Sequence, residues 1–188
     1  MTNWQTKTIG ELVDYEQPSK YLVKDTNYIE DGIPVLTANK AFILGYTHET
    51  EGIYVASKDN PVIIFDDFTT DNKFVDFDFK VKSSAIKILT AKPSKVLPRF
   101  VHGAMRLIKT GITEHKRRFI SEYQFHPIDM PELAEQERIV GVLEVWDEYI
   151  EKLEQKIALK EQLKKGLMQQ LLTGKRRLPE FNARWESL

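Results

Sequence analysis

The stretch from 131 to 174, PELAEQERIVGVLEVWDEYIEKLEQKIALKEQLKKGLMQQLLTG, decides the architecture. Pro131 suits a first helical turn, and the apolar residues after it recur every three or four positions. Ile139, Val142, Trp146, Tyr149 and Leu153 form one seam; Ile150, Leu153, Ile157, Lys160, Lys164, Leu167 and Leu171 form a second, slightly rotated. Gly174 is placed to stop the helix, and Leu178-Pro179 prevents its resumption. The spacing predicts a helix over 132–172, roughly 60 Å long at a rise of about 1.5 Å per residue. A stripe of that length cannot be buried against a compact domain of this size, so the helix is expected to pair with another as a coiled coil. The alternative is a break at Gly141 or Gly166, giving two helices folded back, since each glycine costs a helix only about 1 kcal/mol.

The same stretch is electrically polarised. Glu132, Glu135, Glu137, Glu144, Asp147, Glu148 and Glu151 face only Arg138 in its first half. Lys152, Lys156, Lys160, Lys164, Lys165, Lys175, Arg176 and Arg177 outnumber Glu154 and Glu161 in the second. Acid first and base last suits the helix dipole. It also makes self-pairing antiparallel, because parallel copies would align like charges. The expected dimer seam is Ile139, Val142, Trp146, Tyr149, Leu153, Ile157, Leu167 and Leu171.

Residues 1–130 read differently. Short β-branched and aromatic runs recur between turn signals: Gly32–Leu36, Ala41–Gly45, Pro61–Phe65 and Ala85–Leu89. Phe74, Val75, Phe77, Phe79 and Val81 largely alternate with Asp76, Asp78 and Lys80, the pattern of one half-buried strand. Val96, Leu97, Phe100, Val101, Ala104, Met105 and Ile108 recur at helical spacing from near Pro98, and Gly111 supplies a stop. The expected fold is α+β: a globular mixed domain over 1–130, one long helix over 131–174 and a tail over 175–188.

The whole chain has 188 residues, with 27 Lys+Arg against 28 Asp+Glu and a formal net charge of -1. As one number, near-neutrality argues against a nucleic-acid binder. Along the chain it resolves into blocks. Residues 1–72 carry 5 basic against 12 acidic side chains, a net of -7, and residues 73–118 carry 12 against 3, a net of +9. A basic band of that size marks a polyanion-facing surface, or else a solvated face paired with the acidic segment before it. There is no cysteine, which removes disulfides, thiolate metal sites and cysteine nucleophiles and fits a cytoplasmic location. MTNWQTKTIGEL holds no apolar run, so no signal peptide is expected, and no apolar stretch approaches a membrane span.

Catalytic chemistry is thinly signalled. His48, His102, His115 and His126 are scattered, without a second ligand at metal spacing. Thr173-Gly174-Lys175 lacks the upstream glycine and strand of a phosphate loop, and Asp59-Asn60-Pro61-Val62 lacks the second proline and the aromatic of an amino-methyltransferase loop. Neither a metal nor a cofactor is expected. Asp71-Asn72-Lys73 or Asp78-Phe79-Lys80, with Asp66 or Asp67 upstream, imitates an acidic-x-Lys nuclease core, so a metal-dependent nuclease is the enzyme alternative. A purely structural coiled-coil adaptor is the third reading.

Several stretches carry a family resemblance. Pro131-Glu132-Leu133-Ala134-Glu135-Gln136-Glu137-Arg138-Ile139-Val140, then Trp146-Asp147-Glu148-Tyr149-Ile150, then Leu163 through Arg177, together resemble the conserved region of specificity (S) subunits of type I restriction-modification systems. Trp4 with Ile9-Gly10-Glu11-Leu12 looks like the start of that family's target recognition domain. Gly32–Leu36, Phe65–Thr69 and Val81–Ala85 look like one subclass of it. The resemblance implies a non-catalytic subunit that reads double-stranded DNA. Adenine methyltransferase (modification) subunits and a restriction/translocase subunit would be its partners. Family members alternate two recognition domains with two antiparallel helices, each domain reading half of a split target. Here there is one of each, and Leu178–Leu188, with Trp185 echoing Trp4, looks like the lead-in to a second domain. The chain is then either a half-subunit that dimerises or a truncated first half.

On that reading, phosphate contacts are expected from Lys73, Lys82, Lys87, Arg99 and the loop His115-Lys116-Arg117-Arg118. Base contacts are expected from Asn39, Thr69, Thr70, Asn72, Arg117 and Arg118, with Lys40 beside Asn39.

Overall fold

The computed structural model describes residues 4–39, 41–92, 96–109 and 117–181. They divide into two compact units, Met1–Val140 and Gly141–Leu188. The first is built around a four-stranded antiparallel sheet in the order β2 (Val13–Glu16), β8 (Ile86–Ala91), β5 (Val62–Asp66), β6 (Asn72–Val75). A second sheet has three strands, β4 (Ile43–Thr47), β3 (Ile33–Leu36) and β7 (Lys80–Val81), with β3 and β7 parallel. A two-stranded ribbon pairs β1 (Gln5–Thr8) with β9 (Pro127–Met130). Helices α1 (Ile9–Leu12) and α2 (Pro98–Met105) complete the domain, and α3 runs from Leu133 to Leu172.

The central strands are apolar on both faces because both faces are covered. Every residue of Val62–Asp66 is buried. Ile63 and Phe65, with Leu89 of β8, join the core beneath α1 and α2. Val62 and Ile64, with Ile86 and Ile88, join a second core with Leu36, Phe79 and Val81. This is why the run reads as continuous hydrophobicity rather than alternation.

Two sequence expectations change. The segment 74–81 is not one strand: β6 ends at Val75 in the four-stranded sheet, and β7 starts at Lys80 in the other. Between them, the Asp78 carboxylate accepts the Ala56 N–H at 3.1 Å, and Phe79 exchanges backbone hydrogen bonds with Tyr54 (2.8 and 3.0 Å). Those bonds turn the chain from one sheet to the other. The helix, by contrast, is continuous through Gly141 and Gly166. It ends where Gly174 takes a left-handed φ of 70°, with the Gly174 N–H bonded to Leu171 O and the Arg176 N–H to Gln170 O (3.2 and 2.9 Å).

The first turns of α3 belong to the first unit. Val140 is buried there and Ile139 packs against the same core. Ile139, expected in the dimer seam, is therefore a domain contact. Gln136 is the polar clamp: its buried amide accepts the Leu97 N–H at 2.9 Å and donates to Pro131 O at 2.9 Å. Replacing Gln136 by Leu strands both backbone groups away from water, so Gln136→Leu is expected to cost about 3 kcal/mol. Urea unfolding measured on both chains checks it; equal midpoints would refute the clamp.

Candidate nucleic-acid interface

The β5–β6 hairpin carries the first group of expected base-reading residues. Its turn is closed by Asp66, whose carboxylate accepts the Phe68 and Thr69 N–H groups at 2.9 Å each. The Asp66 N–H donates to Asp71 O at 2.8 Å, and the Thr70 N–H donates to Asp66 O at 2.9 Å. Thr70 is held at φ 63°, a left-handed conformation that a β-branched residue rarely adopts. Thr69 and Thr70 are half-buried at this turn, and the Asn72 amide donates to Thr70 O at 3.2 Å.

Directly behind the turn is a buried ion pair. Asp67 and Lys87 are 1% exposed each, with 3.1 Å between carboxylate and ammonium. The Lys87 ammonium also donates to the Gln17 side chain at 3.0 Å. The Asp67 carboxylate accepts the N–H groups of Arg118 and Phe119 at 3.0 and 2.8 Å. Lys87 is thus corrected from a phosphate ligand to an interior counter-ion. Arg118, expected to meet DNA, is also buried, at 4% exposure. The physical reason is local: Lys87 lies opposite Phe65 in a strand whose two faces are covered, and the Arg118 backbone is pinned to Asp67. Arg117 does stay on the surface, where its guanidinium donates to Ser84 O at 3.3 Å.

A helix face with two arginines flanking a neutral histidine adjoins the hairpin. Arg99, His102 and Arg106 fall at positions i, i+3 and i+7 along α2 and the residue capping it, opposite the buried Phe100, Val101 and Met105. Lys73 of β6 lies close to them, and the Arg99 guanidinium sits 4.3 Å over the Phe74 ring. The His102 ring packs on Phe74 at 5.8 Å. Burial, and after it the charges of Arg106, Arg99 and Lys73, push the His102 imidazole down to about 4, opposed by a hydrogen bond with the Asn72 backbone. Sequence reasoning picks out Arg99 and Lys73, leaves Arg106 aside, and reads His102 only as a scattered histidine and Asp67 only as a nuclease-like carboxylate. The helical spacing of Arg106 and His102 with Arg99 was the available signal.

Lys82 and Asn39 are exposed and leave the same end of the parallel pair β3–β7, in the other sheet. Lys40 and Lys116, together with His115 and Trp185, lie outside the described residues. The nuclease-like carboxylates do not converge. Asp66 caps its own turn, Asp67 is paired with Lys87, and Asp78 holds Ala56. Lys80 is buried against Glu49 at 3.1 Å and the carbonyls of Glu51 and Gly52 at 2.5 and 3.1 Å. In the second unit, Val142, Trp146, Tyr149, Leu153 and Ile157 are exposed, while Leu167 and Leu171 are half-buried. Among the described residues no helix is long and apolar enough to cross a membrane.

No protein-family model matches the chain. Among curated proteins it is 44% identical, over 191 aligned positions covering 96% of its length, to the EcoR124I/EcoR124II type I restriction enzyme specificity subunit of Escherichia coli. The chain is a relative of type I specificity subunits. It spans about half the length of that relative, 46%. The S subunit of the M. genitalium type I restriction-modification system superposes with a TM-score of 0.70 at 18% identity, over 90% of this chain and 46% of that one. A chain from a structural study of type I system assembly and conformational transition superposes at 0.56 with 14% identity, over 88% and 44%. At these identities the two structures share the fold, and the E. coli subunit supplies the kinship.

The neutral His102 on this face gives a pH signature. Its folded pKa lies below the ordinary 6.5, so the unfolded chain binds a proton that the folded chain does not between about 6.5 and about 4. Stability is lost as pH falls through that window. From pH 7 to pH 5 the wild-type chain is expected to lose about 2 kcal/mol more than His102→Gln. Parallel denaturant titrations at the two pH values test this, and identical losses would contradict it.

Proposed function

We propose that the chain is a non-catalytic DNA-recognition element of a cytoplasmic type I restriction-modification complex. Residues 1–130 read one half of a split double-stranded target. Residues 131–174 pair antiparallel with the helix of a second copy, and 175–188 form a tail beyond it. The chain scaffolds adenine methyltransferase subunits and, through them, the restriction/translocase subunit. The observation that carries the reading is the 44% identity to a specificity subunit along nearly the whole chain. The geometry agrees with it: the Thr69–Asn72 turn, Arg117 and the Lys73–Arg99–Arg106 face all belong to neighbouring elements of one domain. Base discrimination falls to Thr69, Thr70, Asn72, Arg117 and Asn39, and backbone phosphates fall to Lys73, Arg99, Arg106 and Lys82.

The pairing of copies follows from the helix. Exposed Trp146, Tyr149, Leu153 and Ile157 need cover. Antiparallel copies set the Glu144–Glu151 half of one helix against the Lys152–Lys165 half of the other. Two identical domains related by that dyad read a two-fold symmetric, interrupted sequence.

Two measurements test the reading. With modification subunits present, Lys73→Ala combined with Arg106→Ala is expected to weaken duplex binding and to lower the salt slope by about 2, with sequence preference unchanged. An unchanged slope removes those residues from the interface. In sedimentation equilibrium the chain is expected to run as a dimer at micromolar concentration and Trp146→Glu with Leu153→Glu as a monomer. A wild-type monomer excludes self-pairing.

A further inference from the structure

The surfaces assigned to DNA come from chain segments far apart in sequence, and they meet at one buried carboxylate. Through its backbone, Asp67 donates to Ala85 O at 2.9 Å and accepts the Arg118 N–H at 2.9 Å. Through its side chain it accepts the Arg118 and Phe119 N–H groups and faces the Lys87 ammonium. Its neighbour Asp66 closes the Thr69–Thr70 turn, and Ser84, beside Ala85, receives the Arg117 guanidinium. The hairpin turn, the turn before β8 and the Arg117–Phe119 segment are therefore fixed to one another at a single residue.

A buried ion pair is an uneconomical way to fill space. An apolar pair at 67 and 87 would occupy the same volume without desolvating two charges. It would leave the Phe119 N–H without its acceptor and the Arg118 N–H with the backbone carbonyl of residue 67 alone, which loosens that segment against the hairpin. What the carboxylate adds over an apolar residue is orientation.

Resting on the DNA-reading role proposed above, we propose that Asp67 is a positioning residue for sequence discrimination. Its carboxylate, neutralised by Lys87, fixes the Arg117–Phe119 segment relative to the β5–β6 hairpin, so that both present their side chains to the bases in one preset arrangement. Asp67 is buried and touches no DNA itself. Losing the carboxylate leaves the Arg118 N–H on the backbone carbonyl of residue 67 alone and the Phe119 N–H unpaired, so the two loops loosen against each other while the phosphate-binding cations stay where they are. Discrimination falls and sequence-independent binding persists.

The first test needs no variant. In the free wild-type chain the amides of Arg118 and Phe119 are expected to exchange with solvent as slowly as those of Ile88 and Leu89 in β8. Loop-like exchange at both would overturn the proposal. The second test uses two double variants, neither of which strands a buried charge. Asp67→Ala with Lys87→Met removes the acceptor; Asp67→Asn with Lys87→Gln keeps an acceptor for both amides in a neutral pair.

A randomised duplex pool is selected with the wild-type chain and modification subunits, and each variant is then measured on the selected duplex and on a scrambled one. The Ala/Met variant is expected to lose about tenfold or more in the ratio of the two affinities, one mismatched base pair's worth of discrimination, with scrambled-duplex binding changed by no more than about twofold. The Asn/Gln variant is expected to keep the wild-type ratio. A folded Ala/Met variant that discriminates like wild type overturns the proposal, as does an Asn/Gln variant that folds yet loses discrimination as fully. If the wild-type chain enriches no sequence, the DNA-reading role fails, and the exchange experiment still decides whether Asp67 fixes the segment.

Discussion

A lysine in the middle of a strand that is covered on both faces imposes a constraint the rest of the domain must meet. Lys87 lies between Ile86 and Ile88, and its ammonium cannot reach water. Removing one partner of such a pair costs about 3–5 kcal/mol, because the other charge is left buried and alone. The carboxylate that answers it must sit one strand away, at the end of β5, where the hairpin turn begins. Asp67 occupies that place, and with it come the Arg118 and Phe119 amides, the Ala85 carbonyl and the turn that holds Thr69 and Thr70. The geometry of the proposed recognition surface is thus tied to satisfying one interior charge.

Lys80 repeats the pattern in the second core, held by Glu49 and two carbonyls. Glu49 in turn accepts the Lys24 and Asp25 N–H groups, which together with the Lys80 ammonium hold its carboxyl below the ordinary range. Lys92 pairs more loosely with Asp14 at 3.5 Å. In all three pairs the acid comes from the first 72 residues and the base from the band at 73–118. The charge segregation in the sequence therefore has two meanings at once. Part of the band is internal mortar between the acidic segment and the sheets. The remainder, with Lys82, Arg106 and Arg117 exposed and Lys73 and Arg99 half-buried, supplies the cations of the proposed DNA-facing surface. Net charge alone, and even charge by segment, could not separate the two.

What could be read in advance tracks how local the determining physics is. The long helix was legible to within a residue at its start, 132 against Leu133, because periodicity, a first-turn proline and a stop glycine are all local signals. The strands β3, β5 and β8 and the helix α2 were legible for the same reason. The strands β1, β2 and β9 were not: QTKT has no apolar residue, VDYE and PIDM alternate over only four residues, and all three exist as strands because partners far along the chain supply their hydrogen bonds. The break between β6 and β7 was hidden because Asp76 and Asp78 preserve an alternating pattern while the chain changes sheets. At the site, the loops and the basic band were legible as composition. The fates of Lys87 and Arg118 were not, since whether a cation faces solvent or a carboxylate depends on which strands are neighbours.

The second unit presents the converse case, an apolar stripe that the described residues leave uncovered. Nearly every residue from Gly141 to Lys165 is exposed, including Trp146, Tyr149, Ile150, Leu153 and Ile157. An isolated helix is not maintained by propensity alone, and two internal glycines weaken this one further. Exposed ion pairs such as Glu148–Lys152 at 2.6 Å are screened by water and contribute little. The missing stabilisation has to come from covering the apolar stripe. Because the acidic and basic halves complement each other only head to tail, the partner that covers it best is another helix of the same polarity running the other way. In the proposed antiparallel pair, burial supplies the drive and charge the direction.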